Sequence, residues 1–138
     1  MADISVTAGS VTPGTGAQLY GATAGATLTA GQGIYLDSSD SMKAKLADAN
    51  DGASKAAVAG VTVNGAATGQ KVNYQKTGEI SIGTTTLTVG QTYINSSTPG
   101  GIAPISDLST GNYVSILGVA TSASNLKLGI LNSGATRG

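Results

Sequence analysis

Glycine recurs along this chain too often for long helices. Gly31, Gly33, Gly52, Gly60, Gly65, Gly69, Gly78, Gly83, Gly90, Gly100, Gly101, Gly111, Gly118 and Gly129 punctuate it, leaving apolar-alternating runs of about 4 to 8 residues that read as strands between turns. In Glu79-Ile80-Ser81-Ile82, Thr86-Leu87-Thr88-Val89 and Leu126-Lys127-Leu128-Gly129-Ile130 the apolar residues fall on every second position, as a half-buried strand requires. Strands are expected over residues 4–7, 27–30, 33–36, 44–47, 58–63, 71–75, 79–82, 86–89, 92–95, 102–104, 113–120 and 126–131. The one helical stretch is Ala-rich, over residues 51–59 with Asp51 as its N-cap. The expected fold is therefore all-β, a Gly-rich short-strand barrel or tulip with at most one short helix.

An internal repeat organises these strands. Thr27-Leu28-Thr29-Ala30-Gly31-Gln32-Gly33-Ile34-Tyr35-Leu36-Asp37-Ser38-Ser39 returns, one residue shorter, as Thr86-Leu87-Thr88-Val89-Gly90-Gln91-Thr92-Tyr93-Ile94-Asn95-Ser96-Ser97. Ala59-Gly60-Val61 matches Leu117-Gly118-Val119, and Lys71-Val72-Asn73-Tyr74 matches Lys127-Leu128-Gly129-Ile130. The unit is about 55 to 60 residues, outside the common solenoid periods. This alignment makes Tyr35 equivalent to Tyr93 and Gly31 to Gly90. It divides the chain into an N-terminal arm (1–16), a first β unit (17–80) and a second (81–138), packed as one domain because each unit alone is marginal.

The residue inventory removes most reaction chemistry. There is no His and no Cys, hence no imidazole base and no thiolate nucleophile, zinc knuckle or disulfide. Seven basic and seven acidic side chains leave a formal net charge of zero, which argues against the clustered cations that neutralise phosphates in nucleic-acid binding. Charged residues are 10% of the chain against a norm of about 25%, while 15 Ser and 18 Thr join 21 Gly. Solubility then rests on hydroxyls, a composition that suits a component of an assembly. No apolar run reaches the length of a membrane span. Met-Ala-Asp-Ile-Ser-Val lacks the basic start and apolar block of a signal peptide, so synthesis in a cytoplasm is expected.

The remaining polar clusters read as structure. Asp37-Ser38-Ser39-Asp40-Ser41 and Asp48-Ala49-Asn50-Asp51-Gly52 hold oxygen donors but lack the spacing and closing Glu of a calcium loop; Asx and Ser are turn formers, so no metal site is expected. Glu79 and Asp107 do not read as a hydrolytic pair, since no Trp or Phe offers a sugar platform. The glycine clusters lack the spacing of nucleotide loops, and no cofactor is expected. Tyr20, Tyr35, Tyr74, Tyr93 and Tyr113 read as packing at strand rims rather than a base-stacking surface.

The segment from Leu46 to Ile80 carries Asp51-Gly52, then Ala57-Val58-Ala59-Gly60-Val61, then Val72-Asn73-Tyr74-Gln75-Lys76-Thr77-Gly78-Glu79-Ile80. It resembles the head-decoration, or capsid cement, proteins of tailed bacteriophages, in which an Asp-Gly loop, a Gly followed by an apolar residue and a Tyr-Lys-x-Gly strand turn recur in this order. Pro99-Gly100-Gly101-Ile102 leading to Leu117-Gly118-Val119-Ala120 resembles the same module. The resemblance implies a non-catalytic virion protein on the outer capsid surface, made in the host cytoplasm, homotrimeric on the shell and bridging major capsid subunits. The other readings are a tail-fibre or spike domain that binds a host receptor and a small carbohydrate-binding module. For the capsid contact, the N-terminal Ile4-Ser5-Val6-Thr7 is the expected segment: a β-prone run ahead of Gly9, Pro13, Gly14 and Gly16, free to add to a neighbour's sheet edge, with Pro13 keeping the linker from pairing early.

Overall fold

The glycine-bounded runs form ten strands, some merging across the turns expected between them. The computed structural model describes residues 3–138; Met1 and Ala2, the first two residues of the expected arm, lie outside the described residues. The strands are β1 (Val11–Pro13), β2 (Gln18–Thr23), β3 (Gly33–Asp37), β4 (Lys43–Leu46), β5 (Gly60–Thr62), β6 (Lys71–Ile82), β7 (Thr92–Asn95), β8 (Ile102–Pro104), β9 (Tyr113–Ala120) and β10 (Asn125–Thr136), with one α-helical turn, α1 (Ala53–Ala56), and 3-10 turns at Ala8–Ser10, Ser38–Asp40 and Ile105–Asp107. The all-β expectation holds, as one open, curled antiparallel sheet resembling a half-barrel. Its main path runs β4-β3-β5-β6-β10-β9-β7-β8, with β1 and β2 added alongside β6.

That order is the repeat written in hydrogen bonds. In the first unit a hairpin (β3, β4) pairs through β3 with β5, and β5 with β6; in the second, a hairpin (β7, β8) pairs through β7 with β9, and β9 with β10. Strand β6 is common to both. Tyr74 and Gln75 pair with β2 on one edge and β5 on the other, while Ile80 and Ser81 pair with β1 and β10. Between β1 and β2 the chain stays on the same edge, because Gly14 N–H donates to Glu79 O (2.7 Å) and Glu79 N–H donates to Thr15 O (2.9 Å). The opposite edge of β6 therefore serves β5 first and β10 afterwards, so the sheet forks there. The boundary expected between residues 80 and 81 falls inside this shared strand.

The switch is made by a bulge. Gln18 pairs with Thr77 but Leu19 pairs with Gln75, leaving Lys76 as an extra residue on β6, and an extra residue reverses which edge each later peptide faces. Fully buried Gln75 secures the bend: its Nε2 donates to Thr77 O (2.9 Å) and Glu79 O (2.8 Å). Two apolar clusters fill the concavities. The larger joins Ala47, Val58 and Val61 of the first unit to Ile102, Leu117 and Leu126 of the second; the smaller, around Leu28, Ile34, Val72 and Tyr74, lies inside the curl of the first unit.

The units repeat in a register different from the one that sequence identity suggests. Gly33 pairs with Val61 and Ile34 with Gly60, whereas Thr92 pairs with Val119 and Tyr93 with Gly118. Gly31 and Gly90 are equivalent, both left-handed (φ 86° and 83°), and their N–H groups donate to Thr62 O and Ala120 O at 2.8 Å in each case. From there the chains run without a gap, so Tyr93 takes the place of Ile34 and not of Tyr35. A one-residue slip would have put it on the opposite face. Likewise Lys127 on β10 occupies the place of Gln75, since these residues pair with Val119 and Val61, and the Lys71 to Lys127 match is corrected by four residues.

Other expectations change for local reasons. Residues 4–7, 27–30 and 86–89 are not strands; each anchors an apolar side chain but finds no continuous partner, Leu28 exchanging a single bridge with Ala66. Residues 71–75 and 79–82 are one strand. Strands β1 and β2 were not anticipated, and Pro13 itself pairs with Ile80. The helix is one turn, with Gly52 and not Asp51 at its N-cap; Asp51 pairs with Lys55 at 2.7 Å.

Gly60 and Gly118 are where strands cross most closely. A Cβ on Gly60 would lie 2.6 Å from Gln75 O, and one on Gly118 would fall onto Lys127 O, the corresponding backbone in the other unit. Gly60→Ala and Gly118→Ala are expected to cost about 1 to 3 kcal/mol each in urea unfolding, while Gly9→Ala, with nothing near its Cβ position, stays close to wild type. Wild-type stability in either close-approach variant would refute the shared crossing.

Candidate functional site

The segment singled out for contact, Ile4-Ser5-Val6-Thr7, lies against the protein's own second unit. Ile4 N–H donates to Ile102 O (2.9 Å) and Thr7 N–H to Gly83 O (2.7 Å). Ser96 Oγ donates to Asp3 Oδ1 (2.6 Å), tying down the preceding residue. Ile4 and Val6 pack half-buried on the larger cluster, which explains the apolar alternation read from the sequence, and Ser5 and Thr7 face solvent. Beside this segment opens a groove of about 980 Å³, whose walls include Ser96, Ser97, Thr98, Ser109, Thr110 and Asn112. Arg137 Nη1 closes one side by donating to Leu108 O (2.9 Å). The groove offers hydroxyls and amides of both hydrogen-bonding senses.

The acidic clusters are turns held by lysines. Asp37 Oδ1 accepts from Ser39 N–H (3.0 Å) and Ser39 Oγ (2.6 Å), and Lys45 Nζ sits 2.7 Å from Asp37 Oδ2 and 3.1 Å from Asp40 Oδ2. A lysine ammonium thus stands where a cation would have to bind. Its hydrogen bond, with help from Ser39, lowers the Asp37 carboxyl to about 2. Asp40 is lowered by the same ammonium. Asp48 turns back to accept from Asn50 N–H (3.1 Å). Among the described residues no three metal-ligating side chains converge, and none of the helices is long and apolar enough to cross a membrane.

The remaining candidates disperse. Glu79, on β6, accepts from Thr121 Oγ1 (2.6 Å), while Asp107 lines the groove, which Glu79 does not reach. Tyr35, Tyr74 and Tyr93 are buried, and Tyr93 Oη accepts from Thr88 N–H (3.0 Å). Only Tyr20 stands out, its ring stacked on Tyr74 with centroids 5.9 Å apart and Lys76 Nζ 4.9 Å above it. Asn95, first residue of a glycosylation triplet, is fully buried and inaccessible to modification. Two side chains that sequence reasoning missed join the units: Asn132 pairs with Val58 like a strand peptide, accepting from its N–H (3.0 Å) and donating to its O (2.9 Å), and Ser115 Oγ donates to Ala56 O. Neither carries a motif; both work through long-range geometry.

No protein-family model matches the chain, and no curated protein matches it.

Two outcomes check this surface. Asp37 is depressed in the folded state, so its contribution to stability is complete above the ordinary carboxylate value of about 4 and is lost as pH falls towards about 2. Lys45→Met should flatten the acid limb of the melting-temperature curve in that window, and an unchanged slope contradicts the assignment. Ser96→Ala should speed hydrogen exchange at the Ile4 and Thr7 amides while leaving β6 and β10 protected; equal rates in both proteins would mean the Asp3 tie does not hold the segment.

Proposed function

We propose that this protein is a non-catalytic decoration protein of a tailed-phage head, sitting on the outer capsid surface as a homotrimer and bridging neighbouring major capsid subunits. One observation carries the reading: a single twelve-residue strand, β6, belongs to both β units, so load applied to one unit passes to the other through main-chain hydrogen bonds. A bridge between subunits of a shell filled with DNA needs that property. The sequence resemblance supplies the class of assembly. The side-chain chemistry agrees with it, because Asp37, Asp40 and Asp51 are engaged by lysines and much of the exterior is hydroxyl. Such a surface keeps a protein soluble until its sites form on the expanded shell, and many symmetric copies then add their contacts by avidity.

Fractionating virions of the encoding phage into heads and tails tests the reading. The protein is expected in the head fraction, in multiples of three per local three-fold position, and added back to expanded heads lacking it should raise their melting temperature by several degrees. Recovery with tails alone, or no change in head stability at full occupancy, overturns it.

A further inference from the structure

Strands β4, β8 and β1 protect their outer edges in different ways. Strand β4 meets Ala24 in a parallel bridge, accepts at Ala44 O from Gly25 N–H (2.8 Å), and carries Lys43 and Lys45 in ion pairs. Strand β8 is buried, is covered by Ile4 at Ile102 O, and ends in Pro104, which has no donor. Strand β1 is three residues long and ends in Pro13. Short length, charge, proline and cover are the usual devices that keep a sheet edge from pairing with another chain. Strand β2 has none of them over most of its length: Gln18-Leu19-Tyr20-Gly21-Ala22-Thr23 is uncharged, free of proline and exposed almost throughout, and only its Thr23 end runs beside another strand, β4, on the edge away from β6.

Its free backbone groups can be assigned. Ala24 N–H donates to Gln70 O on the β6 side, and Gly25 N–H donates the other way, to Ala44 O. Successive residues of an antiparallel strand alternate in this respect, so Leu19, Gly21 and Thr23 turn their N–H and C=O groups outward; Thr23 there meets Ala44 of β4, and Leu19 and Gly21 have no strand beside them. Two lysines flank this edge. Lys71 leans over Gly21, its Cε 2.8 Å from where a Cβ would be, and Lys76 lies over the Tyr20 ring, 44% exposed. Neither forms an ion pair with a carboxylate among the described residues.

We propose that the outer edge of β2 is a docking site for an extended, acidic segment of another protein, which adds as a strand beside Leu19 and Gly21 while its carboxylates reach Lys71 and Lys76. Main-chain hydrogen bonds supply affinity in this mode of recognition, and side chains supply selectivity. Charge decides the occupant. A second copy of this chain would bring four ammonium groups to one junction with no carboxylate between them, whereas an acidic strand completes both lysines. The site does not depend on the capsid reading: heads that fail to bind the protein would leave the peptide result standing, and the reverse holds.

The probe is a fluorescent decapeptide of alternating Glu and Val, compared with its Lys-Val counterpart and with a Glu-Val peptide N-methylated at alternate residues. The full chain should bind the Glu-Val peptide, slow exchange at the Leu19 and Gly21 amides, and bind each control at least tenfold more weakly. K71E/K76E should reverse the preference between Glu-Val and Lys-Val, a readout that a misfolded variant would not give. The proposal falls if the N-methylated peptide binds equally well, if the double variant keeps the wild-type preference, or if the two amides become protected with rising protein concentration in the absence of peptide, which would assign the edge to a second copy.

Discussion

Main-chain pairing along β6 is the constraint on which everything else in this molecule depends. Twelve residues serve four neighbours, β1 and β2 on one edge and β5 then β10 on the other. The exchange between β5 and β10 needs the extra residue at Lys76, and the extra residue needs Gln75. A bulge leaves carbonyls off the ladder, and off-ladder carbonyls shielded from water cost free energy unless a donor reaches them. The buried Gln75 amide reaches Thr77 O, and it adds a second donor to Glu79 O, which Gly14 N–H also reaches. Its own Oε1 has no partner, so the same residue that secures the bend carries an unsatisfied acceptor. The position is one where a polar side chain is retained for geometry rather than for burial.

The close approach at Gly60 and Gly118 follows from that arrangement. Each lets β5 or β9 come down onto the backbone of the strand after it, at Gln75 and Lys127. This crossing, together with the Gly31 and Gly90 turns, fixes the register of each unit, and it does so through backbone contacts indifferent to most side chains. The tyrosines are free to drift: Tyr93 fills a core position that Ile34 fills in the other unit. Aligning the repeat on its most distinctive residue misplaces it by one, while aligning it on its glycines places it correctly. In a repeated β unit the residues that must be small mark the shared geometry better than the residues that are merely large.

Legibility in the sequence followed burial. The first half of β10, with one face in the core, shows the alternation that a half-buried strand imposes, and it was readable. Strand β2 was not, since an edge strand exposed at Leu19, Tyr20 and Gly21 has no buried face to leave a pattern. Residues 4–7 have the pattern without the strand: Ile4 and Val6 alternate because they pack on the core, but their amides bond to Ile102 and Gly83, on different segments. The turn role of Asp37 was legible from its neighbours Ser38 and Ser39, whereas its capture by Lys45 across the β3 and β4 hairpin depends on strand register. The Asn132 clamp on Val58 spans 74 positions and leaves no local signature at all.

The small side chains and the polar interior belong to one solution. A core built from Ala, Val, Leu and Ile, with two fully buried amides at Gln75 and Asn95, gains less from transfer of apolar area than one built on large aromatics. What it gains instead is close backbone approach, because glycine and alanine let strands fork and cross where bulkier residues would hold them apart. Main-chain pairing then continues from one unit into the other along β6, through the bulge at Lys76. Asn95, buried beside Gly33 of the first unit with neither amide atom satisfied, shows the cost of that choice at the junction. The compensation is a body in which the two units cannot separate without breaking β6, so rigidity across the junction comes from the sheet and not from the size of the core.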